Sequence, residues 1–108
     1  MGVDMPLTKK FRETVMARAR ADKDFREELI IEATNALLKG DIETGKCLIK
    51  DYLNATEAFS AVADQLHKDE KSIRRMLGPS GNPTLKNFMG ILNACSSSEH
   101  LDLRICHH

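Results

Sequence analysis

Two short apolar stripes with a polar pause between them constrain the fold of this chain more than any other feature of the sequence. The stripes recur at helical spacing on either side of residues 67–69 and consist of Phe59, Val62, Ala63 and Leu66, then Ile73, Met76 and Leu77. This spacing predicts two short helices packed across a tight turn. Asp69 is placed to cap the second helix, because its carboxylate can accept hydrogen bonds from the unpaired amides of the first turn. Gly78 and Pro79 then end the helix.

The face of the second helix opposite its apolar stripe carries long hydrogen-bonding side chains, and these are Glu70, Lys71, Ser72, Arg74 and Arg75. Residues 41–66 hold two basic and five acidic side chains, a net −3, whereas residues 67–86 hold five basic and two acidic ones, a net +3. A short anchored helix with such a face suits insertion into the major groove of DNA. Because the whole chain has no net charge, one basic face predicts a selective DNA binder of moderate affinity, acting as a dimer.

The residues from Ser72 to Leu85, SIRRMLGPSGNPTL, and the small Ala63 where the two helices cross resemble the lambda-repressor-like helix-turn-helix domain. More narrowly, they are similar to the addiction-module antidote proteins, antitoxins that also repress their own operons. The resemblance covers roughly residues 24–95. It implies an all-α bundle of about five helices, here with an additional N-terminal helix, that binds an inverted-repeat operator in double-stranded DNA as a homodimer.

The chain departs from that family at two positions. In the turn, the family usually has a glycine with positive φ, whereas this chain has His67. Histidine tolerates that conformation better than most residues, so the turn is still expected. At Phe59, many repressors of this fold have a glutamine that touches the DNA backbone, and that contact is not expected here.

Base contacts are expected from Glu70, Lys71 and Arg74. Arginine and lysine suit the O6 and N7 acceptors of guanine, and a carboxylate suits the amino group of cytosine. Glu70 lies in the first turn of its helix, so a favourable interaction with the helix dipole alone is the alternative for this residue.

Contacts to DNA phosphates, or support for them, are expected from a second set, aided by the amides around Gly81 to Thr84. The set is Ser72, Arg75, Asn82, Thr84, Lys86 and Asn87. Arg75 matches an arginine that is common in the family, and an ion pair with the protein's own acidic groups is its alternative. Asn82 is predicted to cap the following helix, with Pro83 at the first helical position.

Three further helices are expected before this pair. The first starts at Thr8 and is basic and amphipathic, with Phe11, Val15 and Ala19 on its apolar side. The predicted limits of the others are Asp24 to Gly40 and Asp41 to Asn54. Asp24 and Glu27 form a capping box, and Thr56 is expected to cap the first helix of the pair. Gly45 weakens the third helix by about 1 kcal/mol relative to alanine, which packing must offset.

A dimer or partner surface is predicted on the first two helices. Its residues are Phe11, Val15, Ile30 and Ile31, because the two isoleucines widen the apolar stripe beyond what one surface helix needs. Plain core is the alternative for the isoleucines, and a solvated face over a small apolar stripe is the alternative for the basic helix.

The last helix is predicted to bury Leu85, Phe88, Met89, Leu92 and Cys95, and the chain loses its period from Ser96. The sequence therefore divides into an N-terminal tail and basic helix over residues 1–21, a DNA-binding domain over residues 22–95 and a C-terminal tail over residues 96–108. For His107 and His108 at the end of that tail, a remnant of an expression tag is an alternative to native residues.

Other functional classes find less support in the sequence. Cys106, His107 and His108 adjoin, with His100 nearby, but their spacing matches no structural zinc pattern, so no metal or cofactor is expected. Cys47 and Cys95 lie on apolar faces, which favours buried thiols over nucleophiles, and no enzymatic activity is expected. No run approaches the roughly 18 to 20 apolar residues of a membrane helix, and a cytoplasmic location is expected.

Two hypotheses follow for the function. The first is a homodimeric transcriptional regulator of antitoxin type that represses its own operon. The second is a protein-interaction module that neutralises a toxin, with DNA binding secondary or lost.

Overall fold

Six helices account for most of the part of the chain that the computed structural model describes, which is residues 9–105 for the backbone and residues 13–105 for the side chains. They are α1 (Lys9–Ala21), α2 (Lys23–Leu38), α3 (Ile42–Thr56), α4 (Phe59–Gln65), α5 (Glu70–Met76) and α6 (Leu85–Ser98). No strand occurs within these residues. The prediction of an all-α fold is therefore confirmed.

The core is one cluster to which all six helices contribute. Its fully buried side chains include Ala19, Ile30, Ala33, Ile49, Tyr52, Leu53, Ile73, Ile91 and Cys95. Burial of these mostly apolar surfaces is the main force that holds helices as short as α4 and α5, which would not persist alone in water.

Helices α1 and α2 follow one another with a single residue between them. That residue, Asp22, is the N-cap of α2, and its carboxylate accepts a hydrogen bond from the Phe25 amide at 3.3 Å. The predicted capping box of Asp24 and Glu27 is wrong, because the helix begins earlier and Asp24 already lies in its first turn. Arg26 donates to the carbonyl oxygen of Ala19 at 3.0 Å and so satisfies the end of α1.

Helices α2 and α3 form the most extensive helix pair of the bundle. The turn between them uses Gly40, which has a φ of +83°, and Asp41, which accepts from the Thr44 amide at 3.2 Å. Gly45 is buried at the crossing, where a Cβ atom would lie 2.7 Å from Cδ2 of Leu37. The glycine that weakens α3 as an isolated helix thus permits close approach of its neighbour.

Helix α3 extends to Thr56, two residues beyond its predicted end. The Thr56 hydroxyl donates back to the Tyr52 carbonyl at 2.9 Å, and Glu57 ends the helix with a φ of +56°. The predicted cap of α4 by Thr56 is therefore wrong. Ala58 occupies the N-cap of α4 and makes no side-chain capping bond.

Helix α6 starts two residues later than the predicted position of Pro83. Its N-cap is Thr84, which accepts from the Asn87 amide at 3.1 Å, so the prediction of Asn82 as the cap is wrong. The prediction of which α6 side chains are buried is partly wrong. Leu85 is 78% exposed and Met89 49% exposed. Ile91 and Ala94 are buried in their place, beside Phe88, Leu92 and Cys95.

The prediction of a C-terminal tail over residues 96–108 is wrong for its first part, which packs against the bundle. Ser96 and Glu99 are buried, and Leu101 and Leu103 pack against the core. Glu99 accepts hydrogen bonds from the Tyr52 hydroxyl at 2.7 Å and from Nε of Arg26 at 2.9 Å. These bonds attach the end of α6 to α2 and α3.

Of the predicted partner-surface residues, Val15 and Ile31 are half-buried and Ile30 is fully buried. Ile30 belongs to the core, which was the alternative for it, because α2 is covered on that side by the rest of the bundle. Phe11, together with residues 1–8 and residues 106–108, lies outside what the structure describes at side-chain level.

Candidate nucleic-acid interface

The α4–α5 pair has the geometry that the sequence predicted. The two helices are joined by residues 66–69, and His67 has a φ of +56°. The amide of Lys68 donates to the Ala63 carbonyl at 2.9 Å, which closes the end of α4. Asp69 caps α5 by accepting from the Ser72 amide at 2.7 Å. The tight turn, the positive φ at histidine and the aspartate cap are thus confirmed.

Helix α5 lies on the surface with one face anchored. Ile73 and Leu77 are buried and Met76 is half-buried. The opposite face is open to solvent, with Glu70, Lys71, Arg74 and Arg75 exposed and Ser72 half-buried. All three predicted base-contacting side chains therefore lie on an accessible surface of one helix.

Arg74 is held by two neighbours from within the protein. Its Nη2 and Nε atoms lie 2.9 and 3.3 Å from Oε1 of Glu70, one turn earlier in α5. Its Cζ atom lies 4.0 Å from the centroid of the Phe59 ring at the start of α4, a cation–π distance. Phe59 therefore supports the side chain of Arg74.

The loop of residues 77–84 after α5 folds back on the end of that helix. The Gly78 amide donates to Arg75 at 3.1 Å, and the Gly81 amide donates to Gly78 at 3.0 Å. A Cβ atom on Gly81 would lie 2.2 Å from the Arg75 carbonyl oxygen, so only glycine fits here without movement of the backbone.

A buried lysine, which the sequence analysis did not single out, contacts this loop from below. Nζ of Lys46 donates to the carbonyl oxygens of Gly78 at 3.0 Å and Gly81 at 2.7 Å. The sequence contained a signal, because Lys46 precedes Ile49 and Leu53 by three and seven residues and so occupies the buried stripe of α3.

The other predicted phosphate-contacting residues lie at the start of α6. Asn82 and Lys86 are exposed and Asn87 is half-buried. Thr84 is exposed and its hydroxyl oxygen caps the helix, which leaves the hydroxyl proton available to a ligand. The loop of residues 77–84 connects these residues directly to α5.

A separate groove, lined by apolar and polar side chains, lies between the ends of α2 and α6 and the segment after α6. Its volume is about 1150 Å³, and its lining includes Ile31, Leu38, Met89, Leu103 and Ile105. Leu38, Met89 and Ile105 are exposed to solvent. Among the predicted partner-surface residues, Ile31 contributes to this groove.

The described residues include two free cysteines, of which Cys95 is buried and Cys47 is half-buried. Burial raises the pKa of Cys95 to about 12, which keeps this thiol protonated at neutral pH. No group of three potential metal ligands occurs within the described part of the chain. The cluster of Cys106, His107 and His108 lies outside it. None of the helices described has the length and apolar character needed to cross a membrane.

Comparison of the chain with models of protein families, with curated proteins and with solved structures found no match. The geometry of the α4–α5 pair, the loop after it and the start of α6 is therefore the basis on which a function is assigned.

Proposed function

We propose that this protein is a sequence-specific DNA-binding transcriptional regulator with a lambda-repressor-like helix-turn-helix domain. The observation that carries the proposal is the short helix α5, anchored by Ile73 and Leu77 beneath an exposed basic face. The positive φ of His67 supports the same reading, because it sets the tight turn between α4 and α5. The antitoxin role, with repression of its own operon, is the part of the proposal that rests on the resemblance of the SIRRMLGPSGNPTL run.

In this proposal α5 enters the major groove and its side chains read base edges. Lys71 and Arg74 contact guanine, the latter with its planar fork of donors. Glu70 accepts from cytosine or orients Arg74, with which it is paired at 2.9 Å. An ion pair with both side chains about half exposed is worth no more than about 1 kcal/mol, so the bond to Glu70 adds little to the cost of recruiting Arg74 to DNA.

Phosphate contacts frame the recognition helix on either side. Ser72 and Arg75 supply them from α5, and Asn82, Thr84, Lys86 and Asn87 supply them from the loop and the start of α6. A homodimer would place two such surfaces on an inverted repeat with half-sites about one helical turn apart. The site calls for no metal or cofactor and no catalytic group.

Fluorescence anisotropy with duplex DNA from the region upstream of the gene tests the proposal. We expect preferential binding over a scrambled duplex and a steep loss of affinity with salt. Lys71→Ala and Arg74→Ala should each cost about 1 to 3 kcal/mol and reduce the preference for the operator. Arg104→Ala, which removes an exposed arginine from the C-terminal segment, is the charge-matched control. Equal affinity of the wild type for operator and scrambled DNA would refute the proposal.

A second candidate function is neutralisation of a protein toxin. The observation that favours it is the groove at Ile31, Leu38 and Met89, because a groove with exposed apolar side chains among polar ones suits an amphipathic segment. Co-expression with the product of the adjacent reading frame, followed by size-exclusion chromatography, tests it. Leu38→Asp should abolish a complex formed through the groove and leave DNA binding unchanged.

A further inference from the structure

Lys46 carries a charge in a position where an apolar residue would ordinarily stand. Only 2% of its side chain is exposed, and it lies on the core-facing side of α3. A buried ammonium group is costly unless its donors are satisfied. Here they are, because Nζ lies 3.0 Å from the Gly78 oxygen, 2.7 Å from the Gly81 oxygen and 3.0 Å from Oε2 of Glu43.

Two of these three partners are backbone carbonyls of one surface loop. The bond from Lys46 to Gly81 crosses 35 positions of the sequence, so α3 directly determines where this loop lies. The loop is also constrained from the other side, because Gly81 packs against the carbonyl oxygens of Arg75 and Met76. Residues 78–81 are thus held between the end of α5 and the side chain of Lys46.

We propose that Lys46 is a positioning residue for DNA binding. It holds the loop where Asn82, Thr84 and Lys86 can contact a phosphate while α5 lies in the major groove of the DNA. This inference rests on the proposed function. Its partner is the sugar-phosphate backbone, and Lys46 itself does not touch DNA.

A positioning role and a general structural role make different predictions. Phosphate contacts carry no sequence information, so their loss weakens binding to all sequences by the same factor. Loss of a base contact instead lowers the ratio of operator to scrambled affinity. A purely structural role lowers the melting temperature and leaves the affinity of the folded fraction unchanged.

The experiment compares wild type, Lys46→Met and the control Lys39→Met, which removes an equal charge from an exposed side chain at the end of α2. Lys46→Met should weaken binding to operator and scrambled duplexes alike by roughly tenfold, the equivalent of one charge-assisted hydrogen bond. Affinities are measured at a temperature where each variant is folded by circular dichroism. Lys39→Met should bind as the wild type does.

Hydrogen exchange provides a readout that does not depend on DNA. In Lys46→Met the amides of Gly78 and Gly81 should exchange faster than in the wild type, while those of α3 should not. Gly81→Ala serves as a second variant, since it leaves Lys46 intact and forces the loop to move; it should weaken binding to both duplexes in the same uniform way.

Three outcomes would overturn the inference. Unchanged affinity in folded Lys46→Met would do so and leave the proposed function standing. A selective loss of operator binding in that variant would show that Lys46 acts through α5 instead of through the loop. Absence of preferential DNA binding by the wild type would refute the proposed function and this inference together, whatever hydrogen exchange shows.

Discussion

Two buried charges, Glu99 and Lys46, stabilise different parts of this molecule in different ways. Glu99 is an anion whose partners are side chains, namely Tyr52 at 2.7 Å, Arg26 at 2.9 Å and Lys23 at 3.7 Å. Lys46 is a cation whose partners are mainly the backbone carbonyls of one loop. The first joins three helices of the core, whereas the second fixes a single surface segment.

The difference suggests how stability and function are divided in a small bundle. Removal of Glu99 takes the carboxylate partner from Arg26 on α2 and an acceptor from the Tyr52 hydroxyl on α3, so its effect spreads through the fold. Removal of Lys46 leaves two carbonyl groups and the Glu43 carboxylate, and both the exposed Glu43 and the half-exposed Gly81 can reach water. We therefore expect Glu99 variants to alter the free energy of unfolding and Lys46 variants to alter binding.

Glu99→Ala should have the largest effect on stability. Loss of one partner from a buried ion pair typically costs 3–5 kcal/mol, and we expect about 3 kcal/mol here. The value lies at the lower end because Arg26 also donates to the carbonyls of Ala19 and Arg20 and so keeps some of its bonds. Urea denaturation monitored by circular dichroism measures the change.

The matched control for Glu99→Ala is Asp102→Ala. Asp102 pairs with Arg104 at 2.8 Å, but both side chains are exposed, so the variant should lose less than about 1 kcal/mol. If Glu99→Ala were no less stable than Asp102→Ala, the two charges compared above would not differ in the way proposed.

Glu99→Gln should have an intermediate and pH-dependent effect. Burial acts to raise the pKa of Glu99, but the bonds from Tyr52 and Arg26 and the charge of Lys23 outweigh it and lower the pKa below the ordinary 4.5. The charged carboxylate therefore stabilises the fold fully above pH 4.5, and this contribution is lost as the pH falls through the lowered pKa.

At pH 7 the glutamine variant should be less stable than the wild type by about 2 kcal/mol, since its neutral amide replaces charge-assisted hydrogen bonds. The difference in the free energy of unfolding between the two proteins should decrease as the pH falls below 4.5. Denaturant titrations of both proteins between pH 7 and pH 3 measure it. A gap that stays constant over this range would mean that the charge of Glu99 contributes nothing.

A smaller change in stability is expected for variants of the turn between α4 and α5, which precedes the loop that Lys46 contacts. His67 has a φ of +56°, where a β-branched residue is strained. His67→Val should therefore lose about 1 kcal/mol or slightly more, whereas His67→Gly should be neutral or stabilising. Thermal unfolding of the two variants measures the difference, and equal stability would contradict the assigned turn.

The α4–α5 pair was predictable because its signals are local. The spacing of Ile73 and Leu77, the cap by Asp69 and the histidine at positive φ all act within one or two helical turns. The start of α6 was missed although it is equally local in sequence. Asn82 before Pro83 is a favourable cap, but residues 81–84 lie outside the helix and Thr84 takes that place.

The two buried charges were missed because their partners are distant along the chain. Glu99 meets Tyr52 and Arg26 across 47 and 73 positions, and no periodicity reports such a contact. A glutamate after a run of serines resembles a solvated tail, whereas the fold buries it. Lys46 gave a partial signal, since a lysine in an apolar stripe needs partners, but the stripe alone does not identify them.

Lys46→Met should have a small effect on stability, below about 1 kcal/mol. Methionine fills most of the volume of the lysine stem, and replacement of a buried charge by an apolar residue of similar size is often neutral. The Gly78 oxygen still accepts from the Gly81 amide at 3.0 Å. The Gly81 oxygen and the exposed Glu43 carboxylate lose their bonds to Nζ, but both can reach water. The same urea titration measures this change. A loss as large as that of Glu99→Ala would place Lys46 among the residues that hold the core, and the distinction between the two buried charges would then fail.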